Sequence, residues 1–300
     1  MQCRFVHAPH RRGNLRQPPD GHGMMRTLLL PDSQRYAAMN AAALRADFLI
    51  DNLFVPGQIE LVWCEADRAI IGSAVPITGS LTLQAPAEMR STSFCERREV
   101  GILNIGSRGT VTVDGREYCL DNLDCLYIGM GCKNISFTSQ LPDSPSRFYL
   151  LSYPAHSRYP VALARKADAQ AVKLGNAATC NSRTIYKYIH PDGIPSCQLV
   201  MGFTQLDSGS VWNTMPPHTH LRRSEVYLYF NVPADARVFH LMGRPDETRH
   251  LVIADQQVVL SPAWSIHAGA GTAAYAFCWG MGGENQAFND MDTLAVGDLI

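Results

Sequence analysis

N-T-M-P-P-H-T-H-L-R-R-S-E-V-Y-L-Y-F, residues 213–230, is the stretch on which the fold turns. His218 and His220 stand two residues apart, and side chains on a β-strand return to the same face every second residue. Residues 226–230 are β-branched and aromatic, which predicts a second strand. Residues 221–224 then form a hairpin turn that carries Glu225 back beside the histidines. Two imidazoles and a carboxylate converging in this way suit a divalent transition metal. The fourth ligand must come from elsewhere. The best candidate is His267, at the end of P-A-W-S-I-H, residues 262–267. An isolated H-x-H is common on protein surfaces; here it coincides with a glutamate at the hairpin return, a strand-rich background and a second histidine motif.

The bulk of the chain is compatible with this reading. Three hundred residues with 46% hydrophobic content are enough for one large or two medium domains with full cores. A net charge of −1 gives no general attraction to nucleic acid or anionic membrane, and no apolar run approaches bilayer-spanning length. Nine cysteines, an odd number without a C-x-x-C pair, read as reduced thiols and point to the cytosol. Residues 1–26 differ from the rest: five arginines (Arg4, Arg11, Arg12, Arg16, Arg26) stand against one acid, Asp20. They read as a disordered basic extension, or as residues preceding a true start at Met24 or Met25. A targeting or nucleic-acid arm is the other reading.

Pro31-Asp32-Ser33 opens an alanine-rich helical patch over residues 36–49. From Leu53 onward the hydrophobic period becomes two. Short β-rich segments recur at 59–64, 69–76, 100–105, 110–113, 118–120, 125–128 and 134–137, punctuated by Gly, Asp and Pro. A second series follows at 198–206, 225–232, 237–242, 250–253, 257–260 and 275–279. The layout predicts an all-β protein of two jelly-roll barrels with a few short helices: an N-terminal barrel over 27–165 without a metal site and a C-terminal barrel over 166–300 with one. The linker is expected around 153–171. The first half has no H-x-H, and its charged run Glu96-Arg97-Arg98-Glu99 reads as a solvated or interface patch, with a second acid/base site as the alternative.

The pairing of H-x-H-x(4)-E with a later P-x-x-x-x-H resembles the two-part metal motif of the cupins. Trp264 replaces the usual glycine of the second part, and a further glycine is missing around Asn231. Longer stretches narrow the resemblance: R-R-E-V-G-I-L-N-I-G (97–106), F-H-L-M-G-R-P-D-E-T-R-H (239–250), S-P-A-W-S-I-H-A-G-A-G (261–271) and W-G-M-G-G-E-N-Q-A-F-N-D-M-D (279–292) are similar to the 5-keto-4-deoxyuronate isomerases. The resemblance spans roughly 42–299. It implies a hexameric, zinc-containing bicupin of pectin and polyuronate breakdown. The implied reaction interconverts 5-dehydro-4-deoxy-D-glucuronate and 3-deoxy-D-glycero-2,5-hexodiulosonate. The family's four ligands fall on His218, His220, Glu225 and His267.

That chemistry suits the residues. An aldose–ketose isomerase moves hydrogen between neighbouring carbons while an oxygen gains negative charge, which a Lewis-acid cation stabilises. The substrate carboxylate calls for a guanidinium fork, with Arg183, Arg222, Arg223 and Arg249 as candidates. Glu247, His250 and Tyr275 are candidate acid/base groups, beside hydroxide supplied by the cation. One Zn2+ per subunit is expected, with Fe or Mn permitted by the same ligands. The partners expected are a small uronate and five copies of the chain, with neither nucleic acid nor membrane. An iron dioxygenase and a non-catalytic sugar-binding bicupin are the alternative readings.

Overall fold

The computed structural model describes residues 25–287 and 290–300. The basic extension expected over 1–26 lies outside the described residues except for its last two. Of these, Arg26 already begins a strand, Arg26–Leu28, paired parallel to Ile59–Cys64. The described chain is all-β, with two short α-helices and scattered 3-10 turns.

Two seven-stranded and two four-stranded sheets form the body. The first large sheet runs, in spatial order, Arg26–Leu28, Ile59–Cys64, Ile70–Ala74, Phe148–Pro154, Arg98–Asn104, Cys125–Ile128 and Ala162–Ala164. The second runs Gln170–Leu174, Arg183–Ile189, Val200–Leu206, Ala276–Gly283, Arg223–Phe230, Gln257–Ser261 and Leu49–Ile50. Each faces a four-stranded partner across an apolar interior. One outermost strand crosses over: Leu49–Ile50 precedes the first barrel's main strands yet pairs with Gln257–Ser261 of the second, while Ala162–Ala164 closes the first large sheet on Cys125–Ile128.

The two large sheets pack back to back, with Tyr149, Leu151 and Tyr153 meeting Met201, Val226 and Cys278 in one buried cluster. The approach is close enough to require glycine. A Cβ on Gly280 would come within 2.0 Å of Leu151 Cδ2, and one on Gly101 within 2.6 Å of Met201 Sδ. This packing explains why the expected linker is shorter than 153–171. Phe148–Pro154 is a central strand, covered on both faces, and so shows no alternation for the eye to find.

The charged run 96–99 divides by burial. Glu96 and Arg97 pair at the surface, whereas Glu99 is fully buried. The Glu99 carboxylate accepts hydrogen bonds from the backbone N–H groups of Cys197, Gln198 and Leu199 at 2.7–2.8 Å and from Tyr127 Oη at 2.7 Å. It is an interface tie between the barrels.

The predicted helix over 36–49 is two helices, Ser33–Ala37 and Ala41–Phe48. Asp32 caps the first through the N–H groups of Gln34 and Arg35, and Asn40 starts the second by accepting from Ala43 N. The pair packs on the second barrel although it precedes the first. Tyr36 Oη donates to the Met242 carbonyl oxygen at 3.0 Å, and the Trp264 ring lies 5.2 Å from Tyr36 and 6.3 Å from Phe48. Trp264, which replaces the cupin glycine, is therefore the residue on which the helices seat.

If the helices are part of the second barrel's core, Phe48→Ala will cost about 3–5 kcal/mol of stability, the usual range for a buried aromatic. Denaturant unfolding measures this. A loss below ~1 kcal/mol would make the helix pair an appendage.

Candidate metal centre

His218, His220, Glu225 and His267 are brought together inside the second barrel, with one potential ligand atom of each within 4.8 Å of the others. His218 Nε2 lies 3.0 Å from His220 Nε2 and 3.0 Å from His267 Nε2. Glu225 Oε2 lies 3.1 Å from His220 Nε2 and 3.0 Å from His267 Nε2. These separations resemble the roughly 3.3 Å edge expected between ligands of a tetrahedral ion with bonds of about 2.05 Å. Although two ring nitrogens approach it, Glu225 Oε2 forms no hydrogen bond and is buried. Three ring nitrogens and one carboxylate oxygen aimed at a common point are a donor set that a divalent transition metal takes. A shared cation satisfies them together, so the donor set fits one.

The scaffold differs from the predicted hairpin. His218–Thr219 does not pair with the strand that bears Glu225; it pairs antiparallel with Asp292–Thr293 near the C-terminus. Arg223 is correspondingly not in a turn but is the first residue of Arg223–Phe230. His267 lies on Ile266–Gly271, opposite Met242. The site is thus assembled from three sheets.

The outer contacts orient the imidazoles. His220 Nδ1 is 3.1 Å from the Asp290 carbonyl oxygen, and the tautomer that donates to this oxygen presents the Nε2 lone pair inward. Arg223 is buried; Nη1 donates to the Ala287 carbonyl oxygen at 2.8 Å, and Nη2 lies 3.2 Å from His220 Nδ1. It braces the His220 ring. Arg222 is engaged with the Asp290 carboxylate. His267 Nδ1 is 3.4 Å from Ser261 Oγ.

Of the remaining candidates, Arg249 donates to the carbonyls of Met39 and Ala37 and pairs with Glu247, so both serve the helix seat. His250 pairs across the sheet with Leu241, and Leu241 with Ala268. That row points away from the face shared by Arg249, Met242 and His267. His250 is exposed there and packs on Phe239. Tyr275 is inside the barrel, its hydroxyl accepting from Asn213 Nδ2 at 2.6 Å. Arg183 is half-buried beside Tyr227 and Tyr275, and burial lowers its pKa.

The residues that sequence reasoning passed over are Tyr227, Tyr229, His240 and Asn213. The period-two rule offered a signal for two of them: Glu225, Tyr227 and Tyr229 share one strand face. The Tyr227 ring is 5.5 Å from that of His267, and Tyr229 Oη is 2.7 Å from His240 Nδ1. Burial raises the pKa of Tyr227 and Tyr229 well above the ordinary phenol value, with Glu225 adding to the effect. Both stay protonated. Burial also pulls His218 down to about 3, assisted by His267, so its ring is neutral and available as a ligand. Burial alone would raise Glu225, but the pull of His267 and His220 holds it well below the carboxylate range.

Residues 56–296 match the KduI/IolB family. The chain is similar to the 4-deoxy-L-threo-5-hexosulose-uronate ketol-isomerases of Halalkalibacterium halodurans (52% identity, 85% of this chain and 93% of the relative) and Lachnoclostridium phytofermentans (54%, with the same coverage). Similarity to that of Salmonella newport is 46%, over 89% of this chain and 97% of the relative. Among solved structures, an IolB-like protein from Salmonella typhimurium superposes with a TM-score of 0.68 at 14% identity, covering 82% of this chain and 96% of that one. Oxalate decarboxylase from Lactobacillus farciminis gives 0.57 at 9%, covering 83% and 88%. These two likenesses concern the cupin-type fold.

His240, like His218, is pulled by burial from 6.5 to about 3. The unfolded chain therefore takes up protons below about pH 6.5 that the folded chain refuses until about pH 3. Stability present above pH 6.5 must fall through that window. The melting temperature of chelator-treated protein will decrease from pH 6.5 toward pH 4, and a flat profile would contradict the burial of these rings.

Proposed function

The chain belongs to the KduI/IolB family and is a ketol-isomerase of uronate breakdown; from that premise we propose that it interconverts 5-dehydro-4-deoxy-D-glucuronate and 3-deoxy-D-glycero-2,5-hexodiulosonate with one divalent cation held by His218, His220, Glu225 and His267. The observation that carries the metal dependence is the convergence of three Nε2 atoms on a buried carboxylate oxygen that hydrogen-bonds to nothing. Zinc suits the set, which would also accept iron or manganese. Family membership favours isomerisation over oxygen chemistry and over a non-catalytic sugar-binding role. Assembly as a homohexamer, action in pectin degradation and a cytoplasmic location belong to the same proposal. So does the division of labour in which the second barrel carries the site and the first supports it.

When bound, the cation supplies Lewis-acid stabilisation of the oxygen that becomes negative as the carbonyl moves to the neighbouring carbon. The chain's own residues do the rest. Arg183 grips the substrate carboxylate: it lies beside Tyr227 and Tyr275, forms no ion pair among the described residues, and its guanidinium donates only to the Asn181 carbonyl oxygen. Tyr275, with its oxygen accepting from Asn213, keeps its O–H to donate to the substrate. Being protonated at neutral pH, it acts as a donor and not as a base. Tyr227 and the Tyr229–His240 pair line the same interior and limit water around the reacting carbons. We expect the hydrogen to move as a proton.

Three measurements test this. His218→Ala and His267→Ala will each lose the cation by elemental analysis, and nearly all turnover with it, while the barrels stay folded; retention of stoichiometric metal would refute the ligand assignment. Arg183→Met will lower kcat/KM roughly ten- to a hundredfold, the worth of a charged hydrogen-bond donor. No change would remove it from the site. In heavy water, solvent deuterium will appear on the carbon that receives the hydrogen.

A further inference from the structure

The first barrel contains a cavity that the isomerase chemistry does not use. Its volume is about 490 Å³, within the range of about 300–1,000 Å³ usual for small-molecule sites. Trp63, Met25 and Met89 contribute apolar wall, and Arg68, Arg97 and Arg98 contribute charge against the single acid Glu88.

Arg98 is the decisive member. It opens the strand Arg98–Asn104 and is 8% exposed. Nε donates to Ser152 Oγ at 3.1 Å, and Nη2 donates to the carbonyl oxygens of Ser152 at 2.9 Å and Arg68 at 2.6 Å. Nη1 has no hydrogen-bond partner among the described residues. The groups that act on its charge are Cys95 and Tyr153, neither of them a carboxylate. A buried guanidinium without a counter-charge is costly, and such charges are ordinarily paired.

The second barrel shows how the same position is balanced elsewhere in the chain. Arg223 opens the strand at the corresponding place in the other large sheet, and there Glu225 and Asp290 act on it. In the first barrel the corresponding counter-charge is missing. Arg97 is already engaged by Glu96, and Glu88 accepts from Met25 N at 3.1 Å. Arg68 is different: its exposed side chain forms no ion pair among the described residues. The turn that carries it is fixed on both sides. Arg98 holds the Arg68 carbonyl, and Asp67 Oδ2 accepts from Ser224 N at 2.7 Å and Ser224 Oγ at 2.6 Å.

We propose that this cavity binds a small organic carboxylate of sugar-acid size, its charge met by Arg98 Nη1 and Arg68 and its carbon skeleton lying against Trp63. Guanidinium donors match carboxylate oxygens in geometry and charge, and an aromatic ring offers an apolar face with a polar edge. Glu88 is the acceptor for a ligand hydroxyl. None of these residues belongs to the metal centre; only the expectation of a second uronate event there rests on the isomerase reading.

D-glucuronate, titrated calorimetrically into the full-length, cation-loaded protein, is the test. Two binding events per chain are expected. Arg68→Gln and Trp63→Leu will each weaken one of them about tenfold, with turnover unchanged, whereas His267→Ala will abolish the other. Arg68 is exposed, so its replacement leaves the fold intact even if an Arg98 variant fails to fold. A single event that disappears in His267→Ala would overturn the proposal, as would an Arg68→Gln isotherm identical to the parent's. Inorganic phosphate displacing the second event as effectively as glucuronate itself would show a mere anion patch.

Discussion

The structure depends on a carboxylate that does no chemistry. Glu99, with no exposed surface, accepts three consecutive backbone N–H groups from residues 197–199 and the hydroxyl of Tyr127. A buried carboxyl group is tolerable only when its oxygens are hydrogen-bonded, and here four donors serve them. The donors at 197–199 belong to the approach to Val200–Leu206, so the bond sets one large sheet against the other. Leu151 and Met201 can then nest over Gly280 and Gly101, where any side chain would collide. Barrel position follows from one charged anchor and a few absent side chains.

From that packing the site inherits its rigidity. The strand bearing Glu225 is hydrogen-bonded on both edges, to Gln257–Ser261 and Ala276–Gly283. Its first turn is pinned to the first barrel through Asp67 and Ser224. His218 approaches from a different, two-stranded sheet and His220 from the residue just beyond its strand, where Arg223 and the Asp290 carbonyl contact the His220 ring. Ligands held by separate rigid elements can be poised around an ion before it arrives, which lowers the ordering cost of binding.

The two barrels repeat a layout but have diverged in what they bury. Where the second has Glu225, Tyr227 and Tyr229 facing inward from one strand, the corresponding strand of the first presents Val100 and Ile102. The first interior is correspondingly closed by hydrocarbon, and its one buried cation, Arg98, is left at the rim facing a cavity. The crossing of Leu49–Ile50 into the second large sheet, together with the helix pair seated on Trp264, makes the barrels interdependent.

The sequence by itself determined the all-β class, the repeated strand series and the four residues that meet at the centre. Each of these is written in short-range pattern: period-two alternation, turn residues, H-x-H with a following glutamate, and a later histidine after an apolar strand. Tertiary structure alone decided the rest. Phe148–Pro154 has no alternation to read, because both of its faces are covered. The pairing of His218–Thr219 with Asp292–Thr293 joins residues more than seventy positions apart, and no local pattern encodes such a contact. Arg222 and Arg223 are neighbours of identical chemistry in the letters. In the fold one is engaged by Asp290 at the surface and the other is buried against His220 of the candidate metal centre. Glu247, His250 and Tyr275 looked equivalent as acid/base groups, and only the register that turns each side chain inward or outward separates them. Residue type fixes what a side chain can do; the face and depth at which the fold places it decide whether it does so.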